Sequence, residues 1–405
     1  MEKAFKVYGY RWVVLFLFIL VNIMMQVHWL FISIITNDVK EIYGVSGPYI
    51  DLISVMFMLV YLVVSFPASY IIDKWGIRIG VGIGAALLGI FGLVKGFYPE
   101  SFTMLLISQI FIAVGQPFLL NAITKVAVVW FPLEERATAG GLATMAQIGG
   151  MMIAMALTPP LFKACGLATL VMTYGVASAI SAVLFIIFCK DHPPTPPCLE
   201  GHDERLAVSS GLRHIFKQRD FILLLIAYFF GLGVFNALLT WVGQILPPRG
   251  FSTMQAGIAG SVLLLAGIVG AIVIPGFSDK LRKRKMLIVI ATSGGIFGLC
   301  GFTFAEGYGL LIAMCVLLGF FFIGGGPVNF QYGAEVTYPA PEASSQGLLM
   351  LAGQISGILF ILVPDFVLQM DDKQPMLVFF IGILVLVLIL NLMFRESRHI
   401  VTGDI

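Results

Sequence analysis

Apolar residues run along this chain in blocks of twenty or more, broken by short polar punctuation. A helix needs ~20 predominantly apolar residues to cross a bilayer core. Stretches that qualify fall at roughly 11–36, 49–71, 77–97, 102–127, 137–162, 166–189, 220–246, 253–277, 286–305, 308–332, 343–367 and 375–394. The pattern predicts an all-α membrane protein with twelve transmembrane helices. Most connections are short and carry Gly, Pro or charge. The exception is 190–219, where His192-Pro193-Pro194-Thr195-Pro196-Pro197 precedes a run of ionisable side chains. It divides the chain into a six-helix bundle over 1–190, a linker over 191–219 and a second six-helix bundle over 220–405.

Composition agrees. Of the 405 residues, 59% are apolar and 11% charged, against about 25% charged in a typical soluble protein. So few charges cannot cover the surface of a water-soluble fold this size. The net charge of +2 carries no basic stripe that would suit nucleic acid. The five Cys stand at 165, 189, 198, 300 and 315, without metal-ligand spacing. They are read as core or loop thiols, and no metal or other cofactor is called for. The apolar run to about Ile35 exceeds the ~7–15 residues of a signal-peptide core and lacks a small-residue cleavage site, so it is the first membrane helix.

Direction follows from the distribution of Lys and Arg. With the N-terminus in the cytoplasm, 19 fall on the inner side and five on the outer side, namely Lys40, Lys95, Lys163, Arg249 and Lys373. Both termini and the linker are therefore expected to be cytoplasmic. Short outer loops without N-x-Ser/Thr sequons suit the inner membrane of a prokaryote; otherwise the plasma membrane is expected. A monomer in the lipid bilayer is the expected assembly.

The halves repeat each other. Phe131-Pro132-Leu133-Glu134-Glu135 leads to Gln147-Ile148-Gly149, and 207 residues later Tyr338-Pro339-Ala340-Pro341-Glu342 leads to Gln354-Ile355-Ser356. The same shift lays Trp29 on Asn236 and Ser33 on Thr240. Asp73-Lys74-Trp75-Gly76-Ile77-Arg78 returns 206 residues later as Asp279-Lys280-Leu281-Arg282-Lys283-Arg284. Two pseudo-symmetric bundles follow, as transporters are often built.

Polar residues in hydrocarbon are costly, which makes those at midspan the first site candidates. Asn22, Gln26, Trp29, Ser33 and Thr36 form a narrow stripe on one face of the first span. Trp29 lies about seven residues, or ~10 Å, below the outer end. Asn236, Thr240 and Gln244 repeat the stripe weakly in the seventh span. Gln147 and Gln354 fall near midplane of spans five and eleven. Facing a cavity, they can orient a hydroxyl, an amine or a carboxylate; alternatively each bonds a neighbouring helix, worth ~0.6 kcal/mol. No Asp or Glu stands at midspan. His28 is the mid-depth titratable group, about 100° off the stripe. It either packs as a satisfied neutral ring or couples transport to protons.

The loops with Asp73, Lys74 and Arg78, and with Asp279 and Lys280, either express positive-inside topology alone or lock a cytoplasmic gate by charge-assisted hydrogen bonds. Lys125 can snorkel to the inner surface, with gating as the alternative. Gly324-Gly325-Gly326-Pro327 weakens the tenth span, where a bend could serve a gate.

Two parallel six-helix repeats with an Asp-Lys-x-Gly-x-Arg loop resemble the major facilitator superfamily, although Ser69 and Pro275 replace the Gly that opens its signature. Within it, Trp29-Leu30-Phe31-Ile32-Ser33-Ile34-Ile35-Thr36-Asn37, Tyr43-Gly44-Val45, Ile50-Asp51, Glu335-Val336-Thr337-Tyr338-Pro339 and Gln354-Ile355-Ser356-Gly357-Ile358-Leu359-Phe360 are similar to the feline leukaemia virus subgroup C receptor-related family of choline, ethanolamine and haem transporters. The resemblance implies an aromatic and amide pocket for a quaternary ammonium. Trp29, Met58, Gln147 and Gln354 match the family's residues. Asn236 replaces a cage Tyr, which removes ~0.5–2 kcal/mol of cation–π attraction, and His28 replaces a Gln. The expected activity is transport of a small polar solute, choline or an ethanolamine-like amine, by rocker-switch uniport. The alternatives are a proton-coupled symporter or exporter using His28 and a non-transporting receptor. An intramembrane enzyme is disfavoured, since no catalytic pairing occurs at helix spacing.

Overall fold

The computed structural model describes residues 6–195, 213–338, 340, 342–368 and 372–396. The middle of the linker lies outside the described residues. What is described is helical, without strands. The chain divides into two compact units, Met1–His202 and Asp203–Ile405.

In the first unit, α1 covers Tyr10–Ile34, α2 Thr36–Tyr43, α3 Gly47–Phe97, α4 Phe102–Leu120, α5 Ile123–Trp130 and α6 Leu133–Phe188. The second holds α7 Arg219–Ile245, α8 Thr253–Leu281, α9 Arg284–Phe304, α10 Tyr308–Gly324, α11 Gly326–Thr337, α12 Glu342–Leu362 and α13 Gln374–Leu392.

Among the described residues, ten continuous apolar helices are long enough to span a membrane. Two of them are too long for one crossing. At about 1.5 Å per residue, the 51 residues of α3 would extend about 75 Å, against a hydrocarbon core of about 30 Å. Each is two spans joined through one glycine: Gly76 at φ 84° in α3 and Gly166 at φ 75° in α6. A left-handed φ costs an L-residue energy that glycine is spared, so the chain reverses at these points without a loop. Counted this way, the spans number twelve, as the sequence predicts.

Two spans are interrupted. Helix α4 gives way to α5 at Asn121 and Ala122, four residues after Pro117, and α10 gives way to α11 at Gly325. The second break falls within the triple glycine. The short α2, ended by Gly44 at φ 63°, is absent from the sequence reading; its Lys40 and Asp38 make it too polar to register as a span.

Within the first unit α1 packs against α3, α4 and α6, and within the second α7 packs against α12 and α13. Close approach is set by small residues. A Cβ on Gly150 of α6 would stand 2.4 Å from the Ile23 carbonyl of α1, so only glycine lets these two backbones meet there.

Candidate functional site

The stripe along α1, which ends on Thr36 at the start of α2, is buried throughout, and most of its polar atoms are used inside the first unit. Asn22 Nδ2 donates to Phe18 O at 2.9 Å, and Thr36 donates to Ser33 O at 2.9 Å. Trp29 Nε1 donates to Ser54 O of α3 at 3.2 Å, and the Ser33 and Ser54 hydroxyls are 2.7 Å apart. Ser54 therefore reads α1 over a full turn. Met58, one turn further along α3, is buried on the same face of that helix.

Gln26 behaves differently. It is only 4% exposed, yet its amide makes no hydrogen bond among the described residues. It lies against Gly150, whose Cβ would stand 2.8 Å from Gln26 Cβ. Gln147 is three residues before Gly150, half-buried and also without a hydrogen bond among the described residues. One α1–α6 contact thus carries two amides with unspent capacity.

In the second unit, Asn236 Nδ2 reaches Gly353 O of α12 at 3.5 Å, a long and weak bond, and Thr240 donates back to Asn236 O at 2.8 Å. Gln354, next to Gly353, is half-buried and forms no hydrogen bond among the described residues. Phe229, Phe230 and Phe360 cluster beside this face, with ring centroids 5.3–6.4 Å apart. The repeat-related pair of glutamines is therefore unpartnered in both units, whereas Ser33 and Thr240 spend their hydroxyls on packing.

His28 is fully buried on the other side of α1. Its Nε2 lies 2.8 Å from Ser178 Oγ of α6, and its ring meets Phe31 and Tyr174 edge-on. Lys95 and Lys373, which the sequence reading assigns to the outer surface, are both buried. Lys373 pairs with the buried Asp365 and lies over the Trp241 ring.

The inner loops are wired differently from the simple reading of their charges. Asp73 pairs with Lys125 Nζ at 3.1 Å, and that amine also donates to Ile72 O at 2.6 Å. Lys74 stays exposed beside Tyr70 and Trp75. Arg78 contributes its backbone N–H, which donates to Asp191 Oδ1 at 3.1 Å. In the second unit the hub is Arg284. It donates to Asp279, to Ser278 at 3.0 Å and to Glu335 at 3.1 Å, while Lys280 is exposed. The Lys285 N–H donates to Glu396 Oε1 at 3.1 Å, the counterpart of Asp191 on Arg78. Glu135 grips Arg11 at 2.9 and 3.2 Å. The sequence pattern does not single out Lys125, Arg284, Glu335, Asp191 or Glu396 for these roles; Asp191 and Glu396 stand 205 residues apart, off the 206 and 207 of the repeat.

The comparisons with known proteins bear on these features. The family model described as Major Facilitator Superfamily matches residues 14–361. The choline/ethanolamine transporter FLVCR1 of Felis catus is 33% identical over 87% of this chain and 67% of its own length. The chain belongs to the major facilitator superfamily, in the feline leukaemia virus subgroup C receptor-related family. It is thus a multi-pass membrane transporter and not an enzyme. An uncharacterized MFS-type transporter, C09D4.1 of Caenorhabditis elegans, is 31% identical over 87% of the chain, which spans 64% of that relative's length. A bacterial homolog of the human lysosomal transporter Spinster, in an inward-facing unoccupied conformation, superposes with a TM-score of 0.77 at 16% identity, over 98% of this chain and 99% of that one. At that identity the likeness speaks for the fold alone.

Proposed function

We propose that this protein is a facilitative transporter of a small hydroxylated amine, choline first and ethanolamine next, working by rocker-switch alternating access. It resides in a plasma membrane, or in the inner membrane of a prokaryotic cell, with both termini cytoplasmic. The observation that carries the reading lies in the first unit, where the Gln26 and Gln147 amides make no hydrogen bond among the described residues and stand with Trp29 and Met58; Gln354 repeats the pattern in the second unit. A polar group buried in an apolar medium without a partner costs several kcal/mol in the extreme. A ligand that offers a hydroxyl or an ammonium to these amides recovers that cost. Trp29 supplies a π face for the cation, worth ~0.5–2 kcal/mol, and Met58 a polarizable apolar contact. Relatives named choline/ethanolamine transporters support the same chemistry.

Asn236 shifts the balance. An amide in place of a ring favours an ammonium or hydroxyl that donates hydrogen bonds, so ethanolamine gains on choline relative to a fully aromatic cage. The hydrogen bond from Asn236 to Gly353 is long enough to be exchanged for one to substrate.

The test is uptake of labelled choline and ethanolamine into proteoliposomes, with and without an imposed pH gradient, for wild type, Trp29→Ala and His28→Gln. Saturable uptake that ignores the gradient and disappears in Trp29→Ala is the expected result. Uptake that needs the gradient and loses that need in His28→Gln replaces uniport with proton coupling. Absence of uptake of either amine removes the substrate assignment.

A further inference from the structure

Behind Trp29, on the side of α1 away from Gln26, the first unit holds a buried polar network whose hydrogen bonds, among the described residues, run through Lys95, Gln109 and the His28 carbonyl. Lys95, in the last turn of α3, is 1% exposed. Its Nζ donates to Gln109 Oε1 of α4 at 2.7 Å and lies 4.7 Å from the centroid of the Phe31 ring. Gln109, itself fully buried, turns its Nε2 onto the His28 carbonyl at 2.8 Å. That carbonyl belongs to the peptide group joining His28 to Trp29. The next peptide group is met by α3, where Ser54 Oγ donates to Trp29 O over a long 3.4 Å. The two peptides flanking Trp29 are therefore gripped by side chains from α4 and α3.

The repeat supplies a control. Shifted by 207, His28, Lys95, Gln109 and Ser178 fall on Phe235, Phe302, Val316 and Val385. The second unit builds the same part of its bundle from apolar packing, with Phe235 stacked on Phe322 at 6.1 Å. The scaffold does not need a polar network to close here, and a buried ionisable group is a poor source of stability compared with apolar residues of like volume. An arrangement present in one repeat only, and ending on the peptide of the aromatic residue at the site, calls for a role in that site.

We propose that Lys95 and Gln109 are positioning residues for Trp29: Lys95 orients the Gln109 amide, and Gln109 fixes the His28–Trp29 peptide, so that the indole is presented at one depth and tilt. This inference rests on the reading of Trp29 as a substrate contact. The two ends of the glutamine amide are alike in shape, and both partners choose between them: the His28 carbonyl can only accept and takes the nitrogen, while Lys95 Nζ donates to the oxygen.

The experiment uses the full chain labelled with 5-fluorotryptophan in detergent micelles, without substrate, and reads the fluorine resonances of its five Trp. The Trp29 line is assigned by its loss in Trp29→Phe. Lys95→Met is expected to move that line by more than its width and to leave the other four in place. Gln109→Glu is the sharper variant: it keeps an acceptor for Lys95 but removes the donor to the His28 carbonyl, and it is expected to move the Trp29 line as well. In proteoliposomes both variants are expected to raise the half-saturation concentration for choline about tenfold, with the maximal rate within about twofold. If Lys95→Met shifts all five lines, the fold has changed and Gln109→Glu decides. A Trp29 line left unmoved by Gln109→Glu overturns the proposal. Wild type that takes up no choline while the line still moves refutes the substrate and leaves the positioning network standing.

Discussion

Arg284 offers a quantitative test of which carboxylate secures the inner end of the second unit. The loop sequence points to Asp279, its near neighbour. The structure points to Glu335, 51 residues away. The Arg284 and Glu335 side chains are 8% and 5% exposed, whereas Asp279 is 67% exposed. An exposed ion pair contributes ~0–1 kcal/mol. Removing one partner of a buried pair costs ~3–5 kcal/mol, because the other charge is left unpaired. Glu335 is especially exposed to this penalty. Its Oε1 accepts from Arg284 and from Gln331 at 3.1 Å, but its Oε2 has no hydrogen-bond partner among the described residues. Arg284→Met should therefore destabilise the protein by about 3–5 kcal/mol and Asp279→Asn by less than about 1 kcal/mol. The double variant Arg284→Met, Glu335→Met should regain most of the loss, since no buried charge remains. The assay is reversible unfolding in mixed micelles of rising SDS fraction, followed by intrinsic fluorescence. An Asp279→Asn loss equal to that of Arg284→Met would refute the reasoning, as would a double variant no more stable than the single.

Other outcomes follow from the same contacts. Gln147→Leu and Gln354→Leu should each cut choline or ethanolamine uptake at least about tenfold while leaving unfolding within about 0.5 kcal/mol of wild type, the range for changes that break no internal bond; a large stability loss would mean that these amides have a structural partner. Gly150→Leu should abolish uptake and destabilise by about 1–3 kcal/mol or more through overpacking, because its Cβ meets the Ile23 carbonyl; a variant as active as wild type would show that α1 and α6 separate easily. Tyr43, in α2, donates to Pro99 O, and burial pushes its phenol up to about 12. Since the folded value lies above the ordinary value near 10, its contribution should be constant below pH 10 and fade between about pH 10 and 12. The stability gap between wild type and Tyr43→Phe, about 1 kcal/mol, should close by about pH 11 and reverse by about pH 12, since a phenol raised from near 10 to about 12 is worth about 2.7 kcal/mol.

The fold was legible because its signal is local. Each span is announced by its own composition, and the offset of the repeat is carried by short runs such as Asp73–Arg78. What escaped depends on the rotation of one helix against others. Lys95 reads as an outer-loop charge, for it stands two residues before the end of α3, and hydropathy does not report that the last turn faces inward. A signal was present in Gly89, Gly92 and Gly96, whose spacing marks a packed face reaching almost to the helix end. Ser33 and Thr240 were named for the site on periodicity, which fixes the face of a helix but not whether a hydroxyl there is already spent. Gln147 and Gln354 came from the repeat, and they remain candidates because the structure leaves their amides unspent. The Asp73–Lys125 pair was missed because the loop pattern draws attention to neighbours in sequence, while the fifth helix supplies the cation.

The carboxylates that cap the third span of each unit set an order of events during synthesis. Asp191 holds the Arg78 N–H, and Glu396 holds the Lys285 N–H, so each cap comes from beyond the last span of its own unit and reaches back more than a hundred residues. A nascent chain cannot complete either contact until all six spans of that unit have left the ribosome. For the first unit, the 28 residues from 192 to 219 are made after Asp191 and before the seventh span begins. At about 5–20 residues per second, that is an interval of about 1–6 s in which the first unit can close its cap before the seventh span is made. The length of the linker thus sets how much time the first unit has to itself.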